Sequence, residues 1–270
     1  MKIQTLNLKT NFMKTNFKFL AILAFFATFL NSCSSDDDGG STLAAPVVSN
    51  FEYGEGSEHS TEQFAYKTSD IHLEADIFAE ATVSSIAVSI HAHDLTPAAD
   101  EVEWHFEQVF TDSNYLVMNP TFHEHISVPN NIPAGEYHVE LTVTDTQGNS
   151  TEVEGHILIL DVITISEVSV DSTVVRGSNF HAEFFINALN GVHTITLDIH
   201  AHGITPGAGE TEYDQELVFE EGYHELNEVE FHEHITVPAD APAGEYHITF
   251  TVEDENGNTE EFETHIDISA

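Results

Sequence analysis

Positive charge is scarce in this sequence, and so are cysteine and tryptophan. Only 6 of the 270 residues are Lys or Arg, against 47 Asp or Glu. Four of the six, Lys2, Lys9, Lys14 and Lys18, precede residue 33, in a stretch without Asp or Glu. Beyond it only Lys67 and Arg176 oppose the 47 acids, a formal net charge of −45. A field of that sign repels nucleic acid and anionic membrane surfaces and attracts cations. It equally describes a well-solvated surface, so charge alone names no site. The single cysteine, Cys33, excludes an intramolecular disulfide and a cysteine-based zinc finger. Any metal site must be made of His, Asp and Glu. No His-Glu-x-x-His motif and no nucleophile turn is present, so the protein is not expected to be an enzyme. A three-histidine zinc site with an open position is the one hydrolytic arrangement left open. Hydrophobic residues make up 41%, enough for packed cores.

The first 33 residues read as an address. Lys14 and Lys18 precede an apolar run from Phe19 to Leu30, too short to span a membrane comfortably and of the length of a signal-peptide core. Met13 is a plausible start. The run ends Leu30-Asn31-Ser32-Cys33, which resembles the lipobox of bacterial lipoproteins, where the cysteine becomes the acylated N-terminus. Residues 1–32 are therefore expected to be a lipoprotein signal peptide. Residues 33–43 are expected to be a lipidated cysteine followed by an acidic tether, Ser34-Ser35-Asp36-Asp37-Asp38-Gly39-Gly40. Such a Ser/Asp run resembles the export signal of Bacteroidota surface lipoproteins. Location in the outer membrane, on the cell surface, follows as an expectation.

The remainder is an internal duplication. His91-Ala92-His93 recurs as His200-Ala201-His202. Phe122-His123-Glu124-His125-Ile126 recurs as Phe231-His232-Glu233-His234-Ile235. Pro133-Ala134-Gly135-Glu136-Tyr137-His138 recurs as Pro242-Ala243-Gly244-Glu245-Tyr246-His247, and every match is offset by 109 residues. Two tandem domains are expected, 44–160 and 161–270, each able to bury its own core. Alternation of apolar residues at Val83-x-x-Ile86-x-Val88-x-Ile90, at Tyr137-x-Val139-x-Leu141-x-Val143 and at Ile157-x-Ile159 marks strands. Turn signals such as Gln147-Gly148-Asn149 separate them. About seven short strands per repeat predict an all-β fold of two immunoglobulin-like sandwiches.

The 18 histidines divide nine to each repeat. Seven pairs keep the offset: His72/His181, His91/His200, His93/His202, His123/His232, His125/His234, His138/His247 and His156/His265. Asp214 stands opposite His105. Unpaired His59, His193 and His224 read as surface residues. Neighbours along a strand point to opposite faces. With Ile90, Val139 and Ile157 inward, His91, His93, His138 and His156 point outward from three strands that neighbour one another in an immunoglobulin topology. His105 or Asp214, on the strand after the first of these, could join them. His72 is expected beside His123 and His125 on the other sheet. Whether the two patches merge is left open by the pattern.

This spacing suits a transition metal. Imidazoles at i and i+2, with a third on the next strand about 4.8 Å away, can place nitrogens about 2.0–2.1 Å from one ion. Neutral imidazole prefers zinc, copper, nickel or iron to calcium or magnesium. Zinc is expected, with copper and nickel as alternatives. Glu124 or Glu136 could be a further ligand or orient a histidine. Against this stands the plain alternative that a strand histidine is a solvated surface residue.

Taken together, Cys33 in its lipobox, His-Ala-His, Phe-His-Glu-His-Ile and Gly-Glu-Tyr-His resemble a family of His-rich, immunoglobulin-like lipoproteins of Bacteroidota carrying a domain of unknown function. The resemblance implies a companion of an outer-membrane, TonB-dependent metal-uptake receptor. Three functions compete. The first is surface capture, transfer or buffering of divalent metal ions. The second is haem or iron capture through axial histidines, which needs an apolar slot that the sequence does not show. The third is a structural or glycan-binding module, which would use exposed aromatics; Trp104 is the sole tryptophan, and Tyr213 is its counterpart.

Overall fold

A computed structural model describes residues 43–270, apart from Glu58, Asp100 and His202. The expected signal peptide, Cys33 and nearly all of the tether lie outside the described residues. The rest is all-β, and among the described residues no helix forms. Each repeat contributes eight strands. In the first these are β1 (Val47–Glu55), β2 (Phe64–Tyr66), β3 (Asp70–Phe78), β4 (Val83–Ala92), β5 (His105–Phe110), β6 (Thr121–Ser127), β7 (Gly135–Asp145) and β8 (Ser150–Leu160). In the second they are β9 (Ile163–Val170), β10 (Thr173–Val175), β11 (Asn179–Ala188), β12 (Val192–Ala201), β13 (Gln215–Phe219), β14 (Glu228–Thr236), β15 (Gly244–Asp254) and β16 (Thr259–Ser269).

Domain 1 pairs a three-stranded sheet, β1-β3-β6, with a five-stranded sheet, β2-β8-β7-β4-β5. Domain 2 repeats this as β9-β11-β14 and β10-β16-β15-β12-β13. All ladders are antiparallel except β2 with β8 and β10 with β16. This is the immunoglobulin-like order, and the alternation read from the sequence explains it. Tyr137, Val139, Leu141 and Val143 on β7 all face the core with no exposure, as do Ile157 and Ile159 on β8. Their domain 2 counterparts Tyr246, Ile248, Phe250 and Val252 do the same.

Two local devices position the outward residues. Tyr137 donates its hydroxyl to the carbonyl of Pro133 at 2.8 Å, and Tyr246 does so to Pro242 at 3.0 Å. These tyrosine corners fix the start of β7 and β15, one residue before His138 and His247. Gly155 leaves room for the Tyr53 hydroxyl, which occupies the space a side chain there would need. That hydroxyl accepts from the backbone N–H of His156, anchoring β8 at the histidine.

Lys67 and Arg176 are both engaged within the fold. Lys67 Nζ lies 3.0 Å from Glu101 and 2.7 Å from Asp161, and Arg176 Nη1 lies 2.8 Å from Glu210. Neither is left to neutralise the acids around the histidines.

Candidate metal centres

On the outer face of the five-stranded sheet of domain 1, four histidines stand in one row across four strands. His105 on β5 is registered with His91 on β4, His91 with His138 on β7, and His138 with His156 on β8. Ring centroids along the row are 6.0, 5.2 and 4.3 Å apart. His93 lies just past the end of β4, and its backbone N–H donates to Glu136 at 2.9 Å. Its Nδ1 comes within 2.9 Å of His138 Nε2. His93, His138 and His156 each offer a ring nitrogen within 4.8 Å of the others. Glu136 sits between them, with one carboxylate oxygen 3.1 Å from His93 Nδ1 and 3.4 Å from His156 Nδ1. Burial, then the neighbouring imidazoles, hold the pKa of His138 below the ordinary histidine range. That keeps the ring neutral, the form that ligates.

The three-stranded sheet carries a second group. His72 on β3 is registered with His125 on β6, and Glu74 with His123. On the other side of β3, Gly54 faces His72 across β1. Backbone carbonyls of Ser60 and Glu62 occupy the space a side chain at Gly54 would fill. The loop after β1 therefore folds back over the sheet and brings His59 onto His72. The six ring separations among His59, His72, His123 and His125 run from 4.6 to 5.5 Å. Four imidazoles bound tetrahedrally about 2.0–2.1 Å from one ion would place ring centroids about 5.2 Å apart. His59, His72 and His123 bring ligand nitrogens within 4.8 Å of one another. His125 is held by its Nδ1, 2.6 Å from Asp70 Oδ2, which leaves Nε2 as its remaining donor, the carboxylate–imidazole–metal pattern of many sites.

His72 differs from what strand parity predicts. It belongs to the outer face, yet it is only 2% exposed because the 56–63 loop covers it. Among the described residues neither of its nitrogens makes a hydrogen bond, and Glu74 Oε2 stands 3.7 Å from Nε2. Burial, followed by the three surrounding imidazoles, pushes its pKa below the usual value. His59 is a surface residue, as read from the sequence, but it also completes this group.

Domain 2 repeats both groups with changes. His181 is registered with His234, and Glu183 with His232. Centroids of His181, His232 and His234 are 4.7, 5.2 and 5.7 Å apart. No loop comparable to that after β1 follows β9, and among the described residues no fourth imidazole joins the three. Glu183, the counterpart of Glu74, which lies 3.7 Å from His72 Nε2, stands 3.4 Å from His181 Nε2 and 3.5 Å from His232 Nδ1. On the five-stranded sheet His200 is registered with His247, and His247 with His265, with centroids 5.2 and 4.2 Å apart. His202 lies outside the described residues. In each domain the two groups lie on outer faces of different sheets, about 10 Å apart at the backbone before side chains extend away, so they are separate centres.

Other features named from the sequence fall elsewhere. Glu124 accepts from the Tyr115 hydroxyl at 2.8 Å and is engaged there. Trp104 packs edge-on against Tyr137, with centroids 5.5 Å apart, and Tyr213 is 5% exposed, so neither forms an exposed aromatic platform. His193 and His224, surface residues without repeat partners, stand 5.5 Å apart beside Glu255.

The geometry defines a class of protein: tandem immunoglobulin-like sandwiches with imidazoles clustered on both outer faces. The chain belongs to the family defined by the domain of unknown function DUF4625, whose model matches residues 31–160 and again 161–269. No curated protein matches the chain. Among solved structures it is similar to Escherichia coli alpha-2-macroglobulin activated by porcine elastase, at 11% identity and a TM-score of 0.35, over 85% of this chain and 22% of that one. It is also similar to the Bacteroides ovatus mixed-linkage glucan utilization locus protein SGBP-B in complex with a heptasaccharide, at 13% identity and a TM-score of 0.27, over 84% and 48%. A tetra-tandem repeat from the extending region of a large adhesion protein matches at 11% identity and a TM-score of 0.30, over 83% and 50%. The chain spans half or less of each of these three structures. Likenesses of this size carry no argument about activity.

Proposed function

We propose that this protein binds divalent transition-metal ions, zinc foremost and copper or nickel as alternatives, at histidine clusters on the outer faces of its two sandwiches. Its place is the outer membrane, where the lipobox at Cys33 would anchor it facing outward. Its role there is to scavenge metal, pass it to an uptake receptor or buffer it. The observation that carries this reading is His72. A buried imidazole with neither nitrogen hydrogen-bonded costs the fold about 1–3 kcal/mol, and this one is ringed by three more imidazoles at coordination spacing. A shared cation is the partner that would satisfy it. The acids nearby, with Lys67 and Arg176, the basic residues among those described, already paired, support the reading by raising the local cation concentration.

Isothermal titration of metal-free protein with zinc at pH 7.5 tests it. Saturable binding of several ions per chain is expected, with at least one lost in the variant H72L/H123A. An absence of tight binding for zinc, copper and nickel alike would end the proposal.

A further inference from the structure

The repeat has a break in its symmetry at the end of domain 2 remote from His200 and His247. His193 is the bulged residue where the register of β12 against β15 shifts, and a bulge re-aims its side chain. His224 lies on the connection between β13 and β14. Glu255 opens the turn between β15 and β16. Backbone hydrogen bonds tie the three segments together: Glu255 N–H donates to Gly191 at 3.1 Å, and Glu225 N–H to Val192 at 2.8 Å.

The same places in domain 1 are identified by matching backbone bonds. Ser84 sits in the equivalent bulge between β4 and β7. Leu116 donates to Asp112 as His224 does to Glu220, and Thr146 donates to Thr82 as Glu255 does to Gly191. Ser84 Oγ donates to the carbonyls of Thr144 and Asp145, and Thr146 Oγ1 to that of Ala81. Domain 1 therefore holds two engaged hydroxyls and a leucine where domain 2 holds two imidazoles and a carboxylate. Three positions far apart in sequence differ together, and all three become metal-ligand types.

The distances fit a shared ion better than a hydrogen-bonded cluster. One oxygen of Glu255 lies 3.5 Å from His193 Nδ1 and the other 3.3 Å from His224 Nε2. Two donors bound tetrahedrally about 2.0–2.1 Å from one ion stand about 3.3 Å apart. His193 Nδ1 is buried and, among the described residues, makes no hydrogen bond. All three side chains offer a ligand atom within 4.8 Å of the other two. Glu225 adds a second carboxylate, 3.9 Å from His224 Nδ1.

We infer that His193, His224 and Glu255 form a separate site for a divalent transition-metal ion, present in domain 2 and absent from domain 1. It does not depend on the duplicated clusters. Two imidazoles and one carboxylate leave coordination positions open to water or a small anionic ligand, so this ion is exchangeable.

Equilibrium dialysis of the full chain against zinc, with bound ions counted per chain, tests the inference. The variant H193S/H224L/E255T installs the residues that domain 1 itself carries at these places. It should bind one ion fewer than the wild type with the remaining ions unaffected. The near-isosteric E255Q should weaken one ion at least tenfold and guards against misfolding of the triple variant. A wild type that binds zinc, with both variants holding the same number as tightly, overturns this site and leaves the proposed function standing. A wild type that binds no zinc at all overturns both.

Discussion

Replacing His72 by leucine should make the metal-free protein more stable and the zinc-bound protein less so. Leucine is close to histidine in volume and brings no polar atoms into a site that is 2% exposed. Among the described residues His72 has no hydrogen bond to lose, only a 3.7 Å contact with Glu74. The substitution therefore removes an unsatisfied buried polar group, worth about 1–3 kcal/mol. For a domain of this size that corresponds to roughly 3–6 °C in Tm per kcal/mol. Zinc at one hundred times its Kd adds about 2.7 kcal/mol to a single-site protein. The wild type should gain that stabilisation in domain 1, and H72L should lose most of it. Differential scanning calorimetry with chelator and with zinc reads both changes in one pair of scans. H181L is the control, because His181 in domain 2 is partly exposed and contacts Glu183; its metal-free gain should be smaller. A lower metal-free Tm for H72L, with the zinc increment intact, would instead mark His72 as a structural residue that holds no ion.

Metal binding should weaken as pH falls below about 6.5, since imidazoles must be neutral to ligate. His72 and His138, whose pKa values burial pulls down, should be the last to protonate. Titrations at pH 7.5, 6.5 and 5.5 check this, and pH-independent affinity would contradict it. Asp145 is pushed up by burial but held below the ordinary carboxylate range overall by hydrogen bonds from Asn149, Gln147 and Gly148. Its folded pKa is depressed, so its contribution is present above about pH 4 and disappears as pH falls through the folded value. The stability gap between wild type and D145N in urea should therefore shrink between pH 7 and pH 3, and a constant gap would count against the turn. Thr82 adopts a φ of 69° where domain 2 has Gly191 at 80°. T82G should stabilise domain 1 by up to about 1 kcal/mol, as left-handed backbone costs a β-branched residue; a loss of stability would show that its side chain matters more. Y137F should cost about 1 kcal/mol by orphaning the Pro133 carbonyl at the tyrosine corner, measured by the urea midpoint, and an unchanged midpoint would contradict it.

Much of this was legible in the sequence because two simple periods govern it. The offset of 109 residues gives the domain pair, and period-two alternation on β4, β7 and β8 places His91, His138 and His156 on one face. That His105, His91, His138 and His156 form a single registered row needed the ladder pairing, which alternation does not encode. The burial of His72 was not legible, for a specific reason. Parity reports which face a residue takes, not whether a loop covers that face, and here Gly54 lets the 56–63 segment lie on the sheet. His59 sits in that segment and has no partner in the repeat. His193 and His224 escaped for a related reason: pairing between repeats selects what the domains share, and their site is what one domain alone acquired. The only sequence hint was three ligand-type residues in domain 2 where domain 1 has none.

Imidazoles from neighbouring strands that share one ion leave a direct spectroscopic signature. X-ray absorption at the zinc K-edge, on protein loaded with zinc and freed of excess metal, addresses it directly. The expected spectrum has a first shell dominated by nitrogen at about 2.0–2.1 Å, with the outer-shell scattering of several imidazole rings. A shell of water oxygens without ring scattering, or zinc that washes away with the excess, would contradict it.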